Sequence, residues 1–125
     1  MSMNNKLRDD NLDFLFSGIL KLETIEECYD FFEDLCTVSE IKAMSQRAVV
    51  AKMLRDHHVY SDIVAKTGAS TATISRVNRS LNYGCDGYDL VFGRMTEAEQ
   101  QIIGEPQEAP AEQTPDEAAE GGAEQ

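Results

Sequence analysis

Apolar residues recur along the first half of the chain with the three- and four-residue spacing of amphipathic helices. The run from Leu12 to Leu22 predicts a first helix, which Gly18 weakens because glycine is a poor helix former. The sequence T-I-E-E that follows is a capping box and predicts a second helix over about residues 25–37. Ser39 is the expected cap of a third helix, which ends near Asp56 and carries an apolar stripe wide enough for burial on more than one side.

The apolar faces of the first two predicted helices are rich in phenylalanine between Phe14 and Phe32, which indicates a core or an interface between subunits. We expect Cys28 and Cys36 to pack in the core as small apolar residues. Cys85 lies in a Gly-rich turn, with no His or basic neighbour to lower its pKa, so a nucleophilic role is not expected. Three cysteines without a C-x-x-C pair are typical of a reduced cytosolic protein.

Two short helical segments separated by T-G-A-S follow, between Tyr60 and Leu81. The first is expected over about residues 61–66, with Ile63 and Val64 buried. Gly68 lies where the turn requires a residue that tolerates positive φ. Two helices joined by a three- to four-residue turn that contains Gly form a helix-turn-helix, although an ordinary helical hairpin has the same pattern.

The second of these helices has one apolar and one polar face. Ser70 or Thr71 is the expected cap, and the apolar face consists of Ile74, Val77 and Leu81. In a DNA-bound helix-turn-helix, the N-terminal part of the second helix enters the major groove, where small polar and methyl-bearing side chains can reach base edges. Basic side chains nearby are placed for phosphates. The residues predicted in this way to contact DNA are Lys66, Ser70, Thr71, Ala72, Ser75, Arg76 and Arg79.

The formal net charge of −12 would by itself argue against a nucleic-acid partner, but the charge is unevenly distributed. Residues 95–125 carry nine acidic and no Lys or Arg side chains, which leaves 14 acidic and 11 basic side chains in the first 94 residues. We therefore divide the chain into a frayed N-terminus (1–11), a helical domain (12–95) and an acidic tail rich in Pro, Ala, Glu and Gln (96–125). The tail is expected to be disordered beyond about Ile103. It either improves solubility or mimics DNA charge and covers the basic face.

Several other classes of protein find no support in the sequence. No signal peptide and no apolar run of membrane-spanning length is visible, so a cytoplasmic location without membrane association is expected. His57 and His58 lack partners at metal-ligand spacing, and we expect no metal site. No catalytic triad or phosphate-loop pattern is present, so an enzyme is not expected.

The runs TGASTATISR, RSLNYG and DGYDLVFGRM resemble the YerC/YecD branch of the Trp repressor superfamily, over about residues 12–95. The resemblance implies an all-α, Trp-repressor-like helical bundle that forms an intertwined homodimer with one helix-turn-helix per subunit. It also implies that Tyr60 and Ser61, at the start of the first short helix, approach the operator. Thr71, Ala72 and Ser75 match the base-reading face.

The resemblance further implies an effector pocket. Trp repressor frames tryptophan with a Thr and an Arg of the recognition helix and an Arg of the long preceding helix, and Thr73, Arg76 and Arg47 are the matching residues. The family has Gly next to that recognition-helix Arg, whereas this chain has Val77, whose branched side chain fills the space that the indole needs. We therefore expect no tryptophan binding, while another small-molecule corepressor stays open.

Together these features predict a sequence-specific DNA-binding transcriptional regulator, a repressor, that binds double-stranded DNA as a homodimer. The alternative is a protein-interaction adaptor that keeps the helical scaffold with weak or no specific DNA binding. The predicted face carries few basic residues, and the acidic Asp62 lies close to them in the sequence, which favours that alternative. The DNA-binding domain of replication initiators shares the superfamily and is a weaker alternative.

Overall fold

Helices make up most of the described part of the chain, residues 8–103 of a computed structural model, and that part contains no strand. The all-α prediction is therefore confirmed. The expected disorder beyond Ile103 lies outside the described residues. The helices are α1 (Asp10–Ile19), α2 (Ile25–Leu35), α3 (Val38–Arg55), α4 (Tyr60–Thr67), α5 (Thr71–Tyr83), α6 (Gly87–Arg94) and α7 (Glu97–Gln100).

Side-chain caps fix where the first two helices begin. α1 begins two residues earlier than the prediction, because the Asp9 carboxylate accepts a hydrogen bond from the backbone N–H of Leu12 at 2.7 Å. Thr24 caps α2 as predicted, through its hydroxyl and the N–H of Glu27 at 3.0 Å. The Glu27 carboxylate, however, accepts from the N–H of Glu23 rather than from that of Thr24, so the expected capping box is not closed.

The cap predicted for α3 was wrong by two residues. Thr37, not Ser39, is the N-cap, and it forms a complete capping box with Glu40: the threonine hydroxyl accepts from the Glu40 N–H at 3.1 Å, and the Glu40 carboxylate accepts from the Thr37 N–H at 2.8 Å. Glu40 is the third helical residue when counted from Thr37, which is the spacing that the reciprocal bonds require. α2 accordingly ends at Leu35 rather than at Thr37.

The core lies where α3 crosses the two short helices α4 and α5, and Tyr88 and Phe92 of α6 pack against its edge. Ile63 is fully buried, but Val64, also predicted to be buried, is 37% exposed. Burial on α3 is confined to its C-terminal half. The buried side chains are Val50, Ala51, Met53, Ile63, Ala69, Ile74, Val77 and Leu81.

α1 and α2 contribute no buried side chain to the described chain, although both are amphipathic. Phe14 is 83% exposed, Leu20 82% and Tyr29 74%. Cys28 is exposed as well, so the expectation that it packs in the core was wrong for the single chain. The apolar faces of these two helices are thus left exposed by the described part of the chain.

Two short helices follow α5. The first, α6, lies within the DGYDLVFGRM run, and the second, α7, begins where Thr96 and Glu99 form a second complete capping box. Among residues 8–103, no helix combines the length and the hydropathy that a membrane crossing requires. The same residues hold no group of three His, Cys, Asp or Glu side chains arranged as metal ligands would be.

Candidate nucleic-acid interface

The turn between α4 and α5 has the backbone geometry of the predicted helix-turn-helix. Gly68 ends α4 in the left-handed region with φ of 74°, which an L-residue adopts only with strain. The Thr67 hydroxyl donates to the carbonyl of Ile63 at 2.8 Å and accepts from the N–H of Ala69 at 3.0 Å. Ala69 is 2% exposed, so the tight corner between the helices depends on a small side chain there.

Ser70 is the residue that caps α5. Its hydroxyl oxygen accepts from the backbone N–H of Thr73 at 3.1 Å and lies 3.1 Å from the Thr73 hydroxyl. Ile74, Val77 and Leu81 face the core as predicted. With one face buried and its first turn capped, α5 presents the opposite face to solvent in a fixed orientation.

The side chains that the sequence predicts to contact DNA belong to α4, to α5 and to the turn between them. Each is exposed in the described chain, and α4 and α5 pack directly against each other. The exposed side chains of this helix-turn-helix thus include Tyr60, Ser61, Lys66, Ser70, Thr71, Ala72, Ser75, Arg76 and Arg79. Their contacts with DNA stay a prediction.

Charge is strongly polarised along the described residues. Residues 8–40 carry ten acidic and two basic side chains, a net charge of −8, whereas residues 41–83 carry seven basic and two acidic ones, a net charge of +5. In the described chain, two of those seven basic side chains are in ion pairs and five are not. The five are Lys42, Arg47, Lys66, Arg76 and Arg79. An excess of positive charge thus lies in the part of the chain that contains the helix-turn-helix, despite the negative net charge.

Two polar side chains of α3 hold the C-terminal ends of the two short helices, and neither is among the residues predicted from the sequence. The Gln46 side-chain amide donates to the carbonyl of Thr67, the last residue of α4, at 3.2 Å. The Arg55 guanidinium donates to the carbonyl of Leu81, in the last turn of α5, at 3.1 Å. These contacts span 21 and 26 residues, so no local sequence signal could have indicated them.

The residues expected to frame an effector differ from one another in their exposure to solvent. Arg47 and Thr73 are half-buried and Arg76 is exposed. Val77 is 2% exposed and belongs to the core cluster that joins α3 and α5. Its isopropyl group therefore occupies space between these helices, which supports the expectation that tryptophan does not bind.

An apolar groove also runs along α3, and these effector-site residues do not line it. It is bounded by α3, α6 and α7, and its lining includes Val49, Phe92 and Ile103. Arg47, Thr73, Arg76 and Val77 are not among the lining residues.

Comparison with known proteins places this geometry in a family. The Trp repressor protein family model matches residues 10–96. The uncharacterized protein YerC of Bacillus subtilis (strain 168) is 55% identical over 95 residues, which cover 76% of this chain and 91% of YerC.

Two solved structures are also similar. A TrpR-like protein from Eubacterium eligens ATCC 27750 has a TM-score of 0.70 and 65% identity, and the match covers 73% of this chain and 94% of that protein. A candidate Trp repressor from Staphylococcus aureus has a TM-score of 0.73 and 54% identity, and the match covers 76% of this chain and 95% of that one. The helix-turn-helix, the surrounding helical scaffold and these matches lead to one conclusion: the chain belongs to the Trp repressor family.

Proposed function

We propose that the protein is a sequence-specific DNA-binding regulator of transcription, a repressor, that inserts α5 into the major groove. The observation that carries this proposal is the division of α5 into two faces: Ile74 and Val77 anchor it in the core, while Thr71, Ala72 and Ser75 are exposed on its first two turns. Short side chains let the helix backbone approach the base edges, and hydroxyl and methyl groups can contact bases and thymine methyls.

The positive charge of residues 41–83 supports the same function, because phosphate contacts supply much of the affinity of DNA-binding proteins. Lys66 lies in the last turn of α4 and Arg79 is exposed on α5, and we infer that both flank the face that enters the groove. The acidic side chains of α1 and α2 lie in a different part of the sequence and leave Asp62 as the only acid within α4 and α5.

The functional unit that we propose is a homodimer formed through α1 and α2. Their exposed aromatic and aliphatic side chains are the kind of apolar surface that marks a protein interface, and in the proposed dimer a second copy of the same chain covers it by symmetry. The eight side chains that are buried among residues 8–103 form a small core for that length, which makes further burial at a subunit interface favourable. A dimer also presents two α5 helices to two half-sites about one helical turn apart.

Selection of bound sequences from random duplex DNA tests the function. We expect enrichment of a palindromic site, and we expect Thr71→Asp or Arg79→Glu to abolish it. Arg94→Glu makes the same charge change on an exposed residue of α6, outside the helix-turn-helix, and should leave the enriched site unchanged. If no sequence is enriched at low salt, the regulator is excluded and the interaction-adaptor alternative is favoured.

Sedimentation equilibrium tests the dimer separately. Phe14→Asp places a charge on the exposed apolar face of α1 and should shift the full chain from dimer to monomer at micromolar concentration. Val59→Asp makes the same change at an apolar residue that is 60% exposed but precedes α4, and should not alter the molecular mass. A wild-type chain that is monomeric at high concentration would exclude this arrangement.

A further inference from the structure

The C-terminal end of α5 lacks a cation of its own. No basic residue is present in its last turn, although the exposed carbonyls at the end of a helix carry partial negative charge and favour a cation or a donor. Arg55, the last residue of α3, supplies both: its Nη2 donates to the carbonyl of Leu81 at 3.1 Å. The charge that complements the end of the recognition helix therefore comes from another helix.

Arg55 is itself held by a third helix. Asp89 of α6 accepts from Arg55 Nε through one oxygen and from Nη2 through the other, both at 2.7 Å, which is a bidentate geometry. These hydrogen bonds lower the pKa of the Asp89 carboxyl below its ordinary value, and the positive charge of Arg55 contributes in the same direction against the opposing effect of desolvation. A single guanidinium thus joins the ends of α3 and α5 to the first turn of α6.

We propose that Arg55 and Asp89 form a latch that positions the recognition helix and thereby determines how tightly the protein binds its specific DNA site. This inference rests on the proposed function, which it deepens. Both are positioning residues: they lie outside the exposed face of α5 and act through its C-terminal end. The Ser70 cap and the Gly68 turn fix the other end of α5.

The length of α5 makes the contact at its C-terminal end important for the position of its N-terminal end. A helix of 13 residues is about 20 Å long, so a tilt of roughly 10° about one end moves the other by about 3 Å. Hydrogen bonds to base edges lose their geometry over a few tenths of an ångström. Contacts with phosphates through flexible Lys and Arg side chains tolerate such a shift far better. Loss of the latch should therefore weaken specific binding much more than non-specific binding.

Asp89→Asn in the full chain tests the latch, with Asp56→Asn as the matched control. Asp56 accepts from Lys52 at 2.7 Å, as short a contact as those in the latch, but that pair lies within the α3 segment and joins no second helix. Each substitution removes one negative charge, which by electrostatics alone strengthens DNA binding. We expect Asp89→Asn instead to weaken binding to the selected site about tenfold, to leave binding to a random duplex within twofold, and to be largely rescued by Asp89→Glu. Asp56→Asn should bind both duplexes at least as tightly as wild type.

Two results would overturn the latch: a folded Asp89→Asn protein that binds the selected site within twofold of wild type, or an equal loss for Asp56→Asn. If Asp89→Asn does not fold, Arg55→Lys takes its place, because lysine keeps the charge but cannot hold Asp89 and Leu81 together.

Amide hydrogen exchange separates the latch from the proposed function. If wild type enriches no DNA site, faster exchange in the last turn of α5 for Asp89→Asn than for Asp56→Asn still supports the latch as the device that holds this helix. Equal exchange rates overturn it.

Discussion

The left-handed conformation of Gly68 gives a prediction whose magnitude follows from the structure. A Cβ atom added at this position would have no heavy atom within 4 Å, so Gly68→Ala introduces no steric overlap with other parts of the chain. The cost is that of the backbone conformation alone, since φ is 74°. An L-residue in the left-handed region costs roughly 1–2 kcal/mol. Alanine also restricts the unfolded chain, which offsets about 0.4–1 kcal/mol of this.

We therefore expect Gly68→Ala to lower the free energy of unfolding by about 1 kcal/mol, from the difference between these two effects. Urea unfolding followed by far-ultraviolet circular dichroism measures it, at one fixed protein concentration because subunit association would shift the midpoint. Gly68→Asn should recover part of the loss, because asparagine tolerates the left-handed region better than alanine does.

Gly93→Ala is the matched control for this experiment. Gly93 lies within α6 at negative φ, and an added Cβ there also meets nothing within 4 Å. Alanine should therefore stabilise the protein by up to about 1 kcal/mol through its higher helix propensity. A Gly68→Ala protein as stable as wild type, or both alanine variants changing in the same direction, would refute the argument that backbone conformation at the turn is what requires glycine.

Three further predictions follow from individual contacts. Ser70→Ala removes the cap of α5 and should lower the free energy of unfolding by about 1 kcal/mol. Ser75→Ala, on the exposed face, should change that free energy by less than about 0.5 kcal/mol but should weaken specific DNA binding. The reverse pattern would contradict the assigned roles. Millimolar tryptophan should not raise the melting temperature, because Val77 is packed in the core, and a clear rise would show that a pocket opens there. Because Arg55 depresses the pKa of Asp89, the latch contributes stability that is complete above the ordinary aspartate pKa and is lost as pH falls through the lower folded-state pKa. Asp89→Asn should therefore flatten the acid limb of the pH–stability curve relative to wild type, and superimposable curves would exclude this contribution.

The sequence by itself determined the local features of this protein. Apolar spacing predicted helices α1 to α5, and the T-G-A-S segment predicted the turn at Gly68, because helix periodicity, capping and positive φ depend on residues only a few positions apart. Where two hydroxyl side chains lie close together in the sequence, the N-cap was assigned to the wrong one, as with Ser39 instead of Thr37 in α3. The family resemblance rested on contiguous motifs and was confirmed.

The tertiary structure alone decided which side chains hold the recognition helix. Arg55 reaches Leu81 and Asp89 across 26 and 34 residues, and Gln46 reaches Thr67 across 21, because the crossing of α3 over α4 and α5 brings these positions together. Tertiary packing also decided which apolar helix faces are buried. The same amphipathic pattern is buried in α5 and exposed in α1 and α2, since periodicity shows that a helix has an apolar face but not which surface covers it.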